Sequence, residues 1–475
     1  MTYDVCIIGA GVVGAMTARE LVKRGLSVLV LEKEHDVATG ASRANSGIVH
    51  AGFDCKVGSL KAKLNVKGSL LMEDLCREMG VSYDRCGSVV VGFGAEDDQT
   101  VRELYDRGIQ NGVSGLSIKN GDEARELEPS LSSEVSSALF VDSGAIVCPY
   151  ELTIAALGVA INNGATLKTG AGVSALSKKD GVWQIESEAG VFESTYIVNC
   201  AGVYSDEIAK MAGENRYTVH ARRGEYFLLD KASGLPLKRT VFMAPSKMGK
   251  GVLVSPTAHG NIIVGPTAED IDEKGSVRTT EEGLAQVKAL SQKSVPSTPL
   301  RKAITNFCGL RAVGNTGDFI IEEKDGAVHC IGIESPGLSA SPAIAEYVAS
   351  LLEKAGATLS EKADFCGTYR PAVAFRALSD EQKNEIIKKD SRYGRIVCRC
   401  ETVTEGEIVQ TLHMEPKPKT LDALKRRTRC GMGRCQGGFC TPVVTEIMAR
   451  ELGVSELAIT KSGGASHLLL ERTKA

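Results

Sequence analysis

Three glycines near the start of the chain have the spacing of a phosphate-binding turn. Gly9, Gly11 and Gly14 form a G-x-G-x-x-G pattern directly after the apolar run at residues 3–8. The first glycine allows a tight turn, the second lets a pyrophosphate approach the backbone, and the third lets a helix pack closely on a strand. Glu32 closes the next apolar run, where its carboxylate can accept hydrogen bonds from ribose hydroxyls. Together they predict a dinucleotide-binding βαβ unit.

Cysteines near the end of the chain form two close pairs, which is typical of metal binding. One residue separates Cys398 from Cys400, and four separate Cys435 from Cys440. Four thiolates suit either a zinc ion or a [2Fe–2S] centre, and spacing alone does not distinguish them. Four residues also separate Cys430 from Cys435, so these two form an alternative second pair.

Two glycine-rich segments predict close approach of the backbone to a flat ligand. Residues 40–52, GASRANSGIVHAG, are small or polar for most of their length. Residues 332–341, GIESPGLSAS, precede a helix that we predict over 343–354. The start of that helix would offer backbone N–H groups and the positive end of a dipole to an anionic ring.

The helices and strands predicted to position these residues indicate a mixed α/β fold. Residues 3–8, 12–24 and 27–31 predict strand, helix and strand, and a parallel sheet also accounts for the apolar runs at 191–200 and 328–333. Between residues 215 and 270 short strands are divided by Pro, Gly and Asn, at 225–229, 251–255 and 261–265. That pattern is typical of an antiparallel sheet.

Composition limits the class of protein. The 475 residues carry 56 Lys+Arg against 59 Asp+Glu, and 43% are hydrophobic. This balance disfavours a disordered chain and a globally basic nucleic-acid binder, and the length predicts two to four domains. The N-terminus lacks the basic start of a signal peptide, and no run of about 18 uncharged apolar residues predicts a membrane span. The 14 scattered cysteines fit a reducing cytoplasm, where we expect the protein to lie.

The body of the chain resembles the FAD-dependent amino-acid and hydroxy-acid oxidase superfamily, which includes D-amino-acid oxidase, glycerol-3-phosphate dehydrogenase and L-2-hydroxyglutarate dehydrogenase. The resemblance rests on the glycine pattern, on residues 40–52 and 332–341, on VNCAG at 198–202, and on FCGLR at 307–311. It implies FAD as the cofactor. The residues expected to contact it are Gly9, Gly11, Gly14, Glu32, Ser42, Asn45, Ser46, Val173, Ala201, Gly202, Gly337, Leu338 and Ser339.

Residues 397–401 and 426–440 are similar to the bacterioferritin-associated-ferredoxin-like [2Fe–2S] domain. The resemblance implies a [2Fe–2S] cluster on Cys398, Cys400, Cys435 and Cys440. A basic run at 417–434 would stabilise the anionic cluster or dock an acidic redox partner, with a solvated helix face as the alternative. No aromatic residues interleave with these charges, so a nucleic-acid partner is not expected.

The superfamily resemblance also implies the substrate-binding residues. Arg311 matches the position that binds a substrate carboxylate or phosphate, although a surface ion pair is the simpler alternative. His50 is the best candidate for the base that takes the hydroxyl proton, unless it orients the flavin or is a core histidine. His259, on the predicted substrate sheet, is the second candidate. Cys55 follows the glycine-rich segment 40–52, which we call the flavin loop, and is a candidate for covalent attachment of FAD.

The predicted architecture has a Rossmann-type FAD-binding domain interleaved with an antiparallel substrate domain, in the α/β and α+β classes, and a small helical cluster domain. We expect the FAD-binding domain at 1–85, 145–215 and 305–365, and the substrate domain at 86–144 and 216–304. A connector at 366–393 leads to the cluster domain at 394–450 and a tail at 451–475.

The expected activity is oxidation of an anionic secondary alcohol, above all sn-glycerol 3-phosphate to dihydroxyacetone phosphate, by hydride transfer to FAD. Electrons would leave through the cluster to an acceptor protein or a quinone-linked subunit, which would also provide any peripheral membrane association. Residues 44–52 and 58–62 are closer to L-2-hydroxyglutarate dehydrogenases, so that substrate stays an alternative, as do amino-acid and opine substrates. A non-catalytic iron–sulfur electron-transfer or docking protein is the alternative of another class.

Overall fold

A mostly parallel sheet of eight strands carries the first glycine turn in a computed structural model, which describes residues 2–245 and 251–472. The strands Gly190–Asn199, Thr2–Ile8, Val28–Glu32 and Thr166–Thr169 lie side by side in parallel, and Ala327–Ile331 pairs parallel with the first of these. The antiparallel strands Val173–Lys179, Val182–Ser187 and Ile320–Lys324 complete the sheet. The central residues of the parallel strands Thr2–Ile8, Val28–Glu32 and Ala327–Ile331 are buried, as expected for strands covered on both faces.

Helices on one face of this sheet form the largest core. Val12–Lys23 packs between Pro149–Asn162 and Gly337–Lys354, and Leu60–Glu78 packs on the last of these. The short helix Ser205–Met211 contacts strands of the same sheet and contributes to a separate core cluster. The cofactor-binding turn therefore begins a helix that is held on two sides.

The second large sheet has nine strands and is almost entirely antiparallel. Its strands are, in spatial order, Glu269–Ile271, Val219–Leu229, Ile262–Gly265, Leu253–Pro256, Thr240–Met243, Ser88–Gly92, Ser137–Val141 and Leu116–Asn120, with Ala303–Gly314 on the other side of Val219–Leu229. The helices of this part are Ala95–Gln110, Gly121–Leu127 and Glu281–Ser294. A small sheet of Ile48–Val49, Tyr83–Asp84 and Ala145–Val147 is separate from both large sheets.

The C-terminal part has a core of its own. The short strands Ile396–Cys398 and Val403–Thr404 are followed by the helices Glu405–Leu412, Leu421–Thr428 and Thr441–Leu452. Ile408, Leu424, Ile447 and Met448 are fully buried between them. The helix Asp380–Lys389 lies within the segment expected to be a connector.

The fold class is confirmed, and two details differ from expectation. Residues 305–314, expected in the FAD-binding domain, belong to the strand Ala303–Gly314, which pairs with Val219–Leu229 along its whole length in the second large sheet. The helix expected from Ala343 starts at Gly337, because the Ser341 hydroxyl donates to the Leu338 carbonyl (2.8 Å) that Pro342 leaves without its usual partner. No helix in the described ranges is long and apolar enough to cross a membrane.

Candidate active site

A cavity of about 1410 Å³ is lined by residues from both large sheets. Most of the residues expected to bind cofactor or substrate line it: Gly9, Gly11, Glu32, Ser42, Asn45, Ser46, His50, Val173, Ala201, Gly202, Arg311, Gly337 and Leu338. Within the described part of the chain, Gly14, Ser339 and His259 are not in that lining. The structure thus brings together residues that are spread over more than 300 positions of sequence.

The glycine pattern forms a turn with no room for side chains. Gly9 has φ +108°, and a Cβ there would lie 2.5 Å from the Cys200 carbonyl oxygen. A Cβ on Gly14 would overlap the Gly9 carbonyl oxygen, so Gly14 serves strand–helix packing rather than ligand contact. At Gly11 a Cβ would lie 3.2 Å from the Ser42 hydroxyl, which accepts a hydrogen bond from the first helical N–H (2.8 Å). This crowded, N–H-rich turn fits the diphosphate of FAD.

Glu32 is held in place by the backbone around it. Its carboxylate accepts hydrogen bonds from the N–H groups of Ala10 (2.8 Å) and Glu34 (3.0 Å). Burial raises the pKa of Glu32, and these two N–H groups oppose the rise. A fixed carboxylate on the cavity wall suits the ribose hydroxyls of a dinucleotide, as the sequence predicts.

The flavin loop is tied to the helix that starts at Gly337. Ser339 is fully buried and its hydroxyl accepts from the His50 backbone N–H (2.8 Å), so it positions the loop without lining the cavity. Asn45 also shapes the loop, since its side chain contacts the Ala41 carbonyl and the Gly47 N–H at 2.8 Å. The first turn of the helix has no acidic residue and no side-chain cap, so its N–H groups fit an anionic ring edge.

Arg311 lies on the strand Ala303–Gly314 of the nine-stranded sheet and lines the same cavity. Its Nη2 donates to the Thr267 carbonyl (2.6 Å), and it forms no ion pair with a carboxylate in residues 2–245 and 251–472. A Cβ on Gly309 would overlap the Ala44 carbonyl oxygen, so a glycine there lets the arginine-bearing strand touch the flavin loop. Burial raises the pKa of Tyr226, and Arg311 opposes this.

His50 follows the strand Ile48–Val49, which places it at the meeting point of the two sheets. Its Nε2 lies 3.5 Å from the Ser335 hydroxyl, and its ring is 5.8 Å from that of Phe242. With its amide oriented to satisfy both neighbours, Asn65 donates to the His50 carbonyl at 3.0 Å. Cys55 is buried and also lines the cavity.

His259 lies away from the cavity, contrary to its role as the second base candidate. It is in the turn after the strand Leu253–Pro256, where its Nε2 contacts a Glu151 oxygen (2.6 Å) and its Nδ1 contacts Arg376 (3.1 Å). Burial opposes ionisation of Glu151, yet His259 holds the pKa of that carboxyl below its usual value. This histidine therefore belongs to the contact between the body of the protein and its C-terminal part.

The C-terminal cysteines gather at two neighbouring points. The sulfurs of Cys400 and Cys435 lie 3.6 Å apart, and those of Cys398, Cys430 and Cys440 lie within 4.8 Å of one another. Two thiolates on a tetrahedral ion with metal–sulfur bonds of about 2.3 Å lie about 3.8 Å apart. The spacing of these five thiols fits paired thiolates on metal ions, with Cys398, Cys430 and Cys440 on the buried side.

The basic run of the C-terminal part contacts the body of the protein, a use that sequence inspection missed. Arg426 and Arg427 both bond the buried carboxylate of Asp36, at 2.5 and 2.8 Å. Arg429 bonds Glu401 (2.9 Å), and Arg434 bonds Asp230 (3.0 Å). Burial opposes ionisation of Asp36, but Arg427 and Arg426 hold its pKa below the usual range. No local signal pairs Asp36 with arginines 390 positions away.

The fold and cavity define a flavin-dependent oxidoreductase. Residues 4–351 match the family model described as FAD dependent oxidoreductase (DAO), and the chain belongs to this family. Residues 396–450 match the BFD-like [2Fe-2S] binding domain. FAD and a [2Fe–2S] cluster are thus the cofactors of this enzyme, and the turn at Gly11 and the paired thiols described above fit them.

Three individual proteins show the range of the similarity. A glycerol 3-phosphate dehydrogenase of Caloramator mitchellensis is 46% identical, covering 100% of this chain and 99% of its own. The structure of the dithionite-reduced L-alpha-glycerophosphate oxidase from Mycoplasma pneumoniae with FAD bound superposes with a TM-score of 0.75 at 31% identity, over 78% of this chain and 100% of its own. A mitochondrial L-2-hydroxyglutarate dehydrogenase of Bos taurus is 33% identical, over 56% of this chain and 61% of its own.

Proposed function

We propose that this protein oxidises sn-glycerol 3-phosphate to dihydroxyacetone phosphate and passes the electrons to an acceptor protein or a quinone-linked subunit. The observation that carries the proposal is the Arg311 guanidinium, which lines the FAD cavity beside His50 and has no carboxylate partner among the described residues. The Caloramator relative supports it, because the similarity includes the cluster domain as well as the body.

Arg311 is the proposed anchor for the substrate phosphate. The Thr267 carbonyl accepts from Nη2 and fixes the guanidinium beside the Tyr226 side chain, and other N–H groups of the guanidinium can bind an anion. A planar guanidinium can bind two phosphate oxygens at once, which orients the rest of a small substrate. The glycerol carbons would then be fixed relative to the flavin loop, since the strand of Arg311 touches that loop at Gly309.

His50 is the proposed acceptor of the hydroxyl proton. Its backbone is fixed by Ser339 and Asn65 and its ring lies against Phe242, so the imidazole has a defined position in the cavity. Imidazole titrates near neutral pH, which suits proton abstraction from an alcohol. FAD, when bound, would supply the acceptor for the hydride from the carbon that bears this hydroxyl.

Cys398, Cys400, Cys435 and Cys440 are the proposed ligands of the cluster. Cys398 and Cys440 are buried, whereas Cys400 is exposed and Cys435 half-buried. One iron would therefore lie under protein and the other near the surface. The cluster, when bound, supplies one-electron transfer, which is what an external acceptor on that surface requires.

The first expected result concerns the substrate. Under anaerobic conditions sn-glycerol 3-phosphate should bleach the flavin absorbance of the holoenzyme, whereas L-2-hydroxyglutarate and glycine should leave it unchanged. Stopped-flow absorbance at the flavin maximum makes the measurement, with dithionite as the positive control for a reducible flavin. Bleaching by L-2-hydroxyglutarate alone or by glycine alone would show that this compound, and not sn-glycerol 3-phosphate, is the substrate. No bleaching by any of the three would favour the non-catalytic docking protein.

L-2-hydroxyglutarate stays the second candidate because of the Bos taurus relative. A dicarboxylate needs two separate cationic anchors. Among the other cations that line the cavity, Arg222 bonds Asp270 (2.6 Å) and Lys61 bonds Glu334 (3.0 Å). Arg311 has no carboxylate partner among the described residues, and a substrate with a single anionic head suits such an anchor.

Replacing His50 with asparagine is expected to lower kcat by about 10²- to 10⁴-fold, because the variant loses the proton acceptor. The acidic limb of the pH–rate profile should disappear at the same time. Steady-state rates with sn-glycerol 3-phosphate and an artificial one-electron dye from pH 5.5 to 9 measure both effects. The flavin content of the purified variant serves as the control. Unchanged kcat with an unchanged pH profile would show that another group takes the proton.

A further inference from the structure

The C-terminal part of the chain reaches into the wall of the FAD cavity. Arg426, from the helix Leu421–Thr428, and Ser462, from the segment after the last helix, both line it. They stand near the residues that follow Glu32, because Arg426 bonds Asp36 and a Cβ on Gly463 would overlap the His35 side chain. This is the end of the cavity where the adenosine of a dinucleotide is expected.

Arg426 has an unused donor at this place. The residue is 6% exposed, and its Nη2 donates to an Asp36 oxygen at 2.5 Å. Its Nε is buried and has no hydrogen-bond partner within the described ranges. A buried donor without an acceptor costs about 1–3 kcal/mol, so an acceptor on a bound ligand would stabilise this arrangement.

Arg43, from the flavin loop, lines the same cavity. Its guanidinium makes no hydrogen bond to residues 2–245 or 251–472, and the residue is partly open to solvent on the cavity wall. The surrounding protein lowers the pKa of Arg43 and the charge of Arg426 lowers it further, while the carboxylates of Asp422 and Glu34 oppose this. Two cations that repel each other across one cavity make a favourable place for an anion.

The segment after the last helix is fixed where it covers this end. The Thr460 and Lys461 carbonyls accept from the N–H groups of Leu421 and Asp422, at 3.1 and 2.9 Å. Since Leu421 and Asp422 begin the helix that carries Arg426, the covering segment and the arginine belong to one packed unit.

We propose that the cluster domain is part of the FAD site: Arg426, together with Arg43, donates hydrogen bonds to the adenosine diphosphate half of FAD, and the segment around Ser462 covers that half. FAD binding and docking of the cluster domain then stabilise each other, because a coupling between two binding events is reciprocal. The two cofactors would be retained together. The inference concerns cofactor binding and is independent of the substrate.

The test compares two neighbouring arginines that bond the same carboxylate. Arg427 also bonds Asp36 but is not among the described residues that line the cavity. Arg426→Met should raise the Kd for FAD by about 10- to 100-fold, the size expected for a charge-assisted hydrogen bond. Arg427→Met should raise the Kd by a clearly smaller factor, because Arg426 keeps its bond to Asp36 and its place on the cavity wall. Release of FAD on dilution of holoenzyme, followed by flavin fluorescence, gives the Kd.

Two nucleotide probes locate the contact. ADP binding to the flavin-free protein should weaken by the same factor in Arg426→Met, whereas FMN binding should not change. Arg43→Met changes a separate segment and should weaken ADP binding as well. It provides the test if Arg426→Met fails to fold. Equal increases of the FAD Kd in Arg426→Met and Arg427→Met would overturn the proposal. An unchanged Kd in both Arg426→Met and Arg43→Met would overturn it as well.

Discussion

Replacing Arg311 with methionine is expected to lower kcat/KM for sn-glycerol 3-phosphate by about 10²- to 10³-fold, because truncating one member of a desolvated charge pair costs about 2–5 kcal/mol. Methionine keeps the packing of the side-chain stem and removes the charge and the donors. Most of the loss should appear in KM if the phosphate contact is equal in the ground and transition states, and in kcat if the contact mainly orients the carbinol carbon. Steady-state kinetics with the reconstituted holoenzyme separate the two.

Arg222 provides the matched control for Arg311. The two residues are opposite each other on paired strands and line the same cavity, but Arg222 already bonds Asp270. Arg222→Met should therefore change kcat/KM by less than about tenfold, since a partly exposed ion pair contributes little. Similar losses in both variants would mean that the cavity responds to net charge and that Arg311 is not the specific anchor. A normal kcat/KM in Arg311→Met would show that Arg311 does not anchor the phosphate.

The nucleotide-binding part of the site could be predicted because its requirements are local. Gly9 has φ +108°, a conformation that favours glycine, and Gly14 excludes a side chain through its contact with the nearby Gly9 carbonyl, so the glycine spacing marks the turn. Glu32 receives its two N–H bonds from residues within the same βαβ unit. Strand, turn, helix and acid are all encoded within the first 35 residues, and short-range steric rules carry them.

The position of His259, the start of the helix at Gly337 and the contacts of the basic run depend on interactions that no short sequence pattern encodes. His259 lies in a turn between two strands of the second large sheet, and it contacts Glu151 and Arg376, which are far from it in sequence. The helix at Gly337 starts before Pro342 because one serine hydroxyl bonds the carbonyl that proline leaves open. The basic run looked like a surface for partners, whereas Asp36 and Glu401 neutralise its buried arginines inside the molecule.

Replacing Cys400 with serine is expected to abolish the paramagnetic signal of the reduced [2Fe–2S] cluster. Cys400 is the exposed member of the pair whose sulfurs lie 3.6 Å apart, and a serine oxygen is a poor substitute for a thiolate on iron. Electron transfer to a one-electron protein acceptor should fall to the background. Anaerobic bleaching of the flavin by sn-glycerol 3-phosphate should continue, because it needs only the cavity of the body. Electron paramagnetic resonance and stopped-flow absorbance measure the two separately.

Cys430 is an alternative cluster ligand, because its sulfur lies within 4.8 Å of those of Cys398 and Cys440 and could replace either. If Cys398 and Cys440 form the buried pair, Cys430→Ser should retain the cluster signal and Cys440→Ser should lose it. The reverse result would make Cys430 the ligand and Cys440 the spare thiol. The three sulfurs share one buried pocket, so both variants disturb the same packing and differ in the thiol removed. Loss of the signal in both, together with loss of bound FAD, would point instead to undocking of the whole domain.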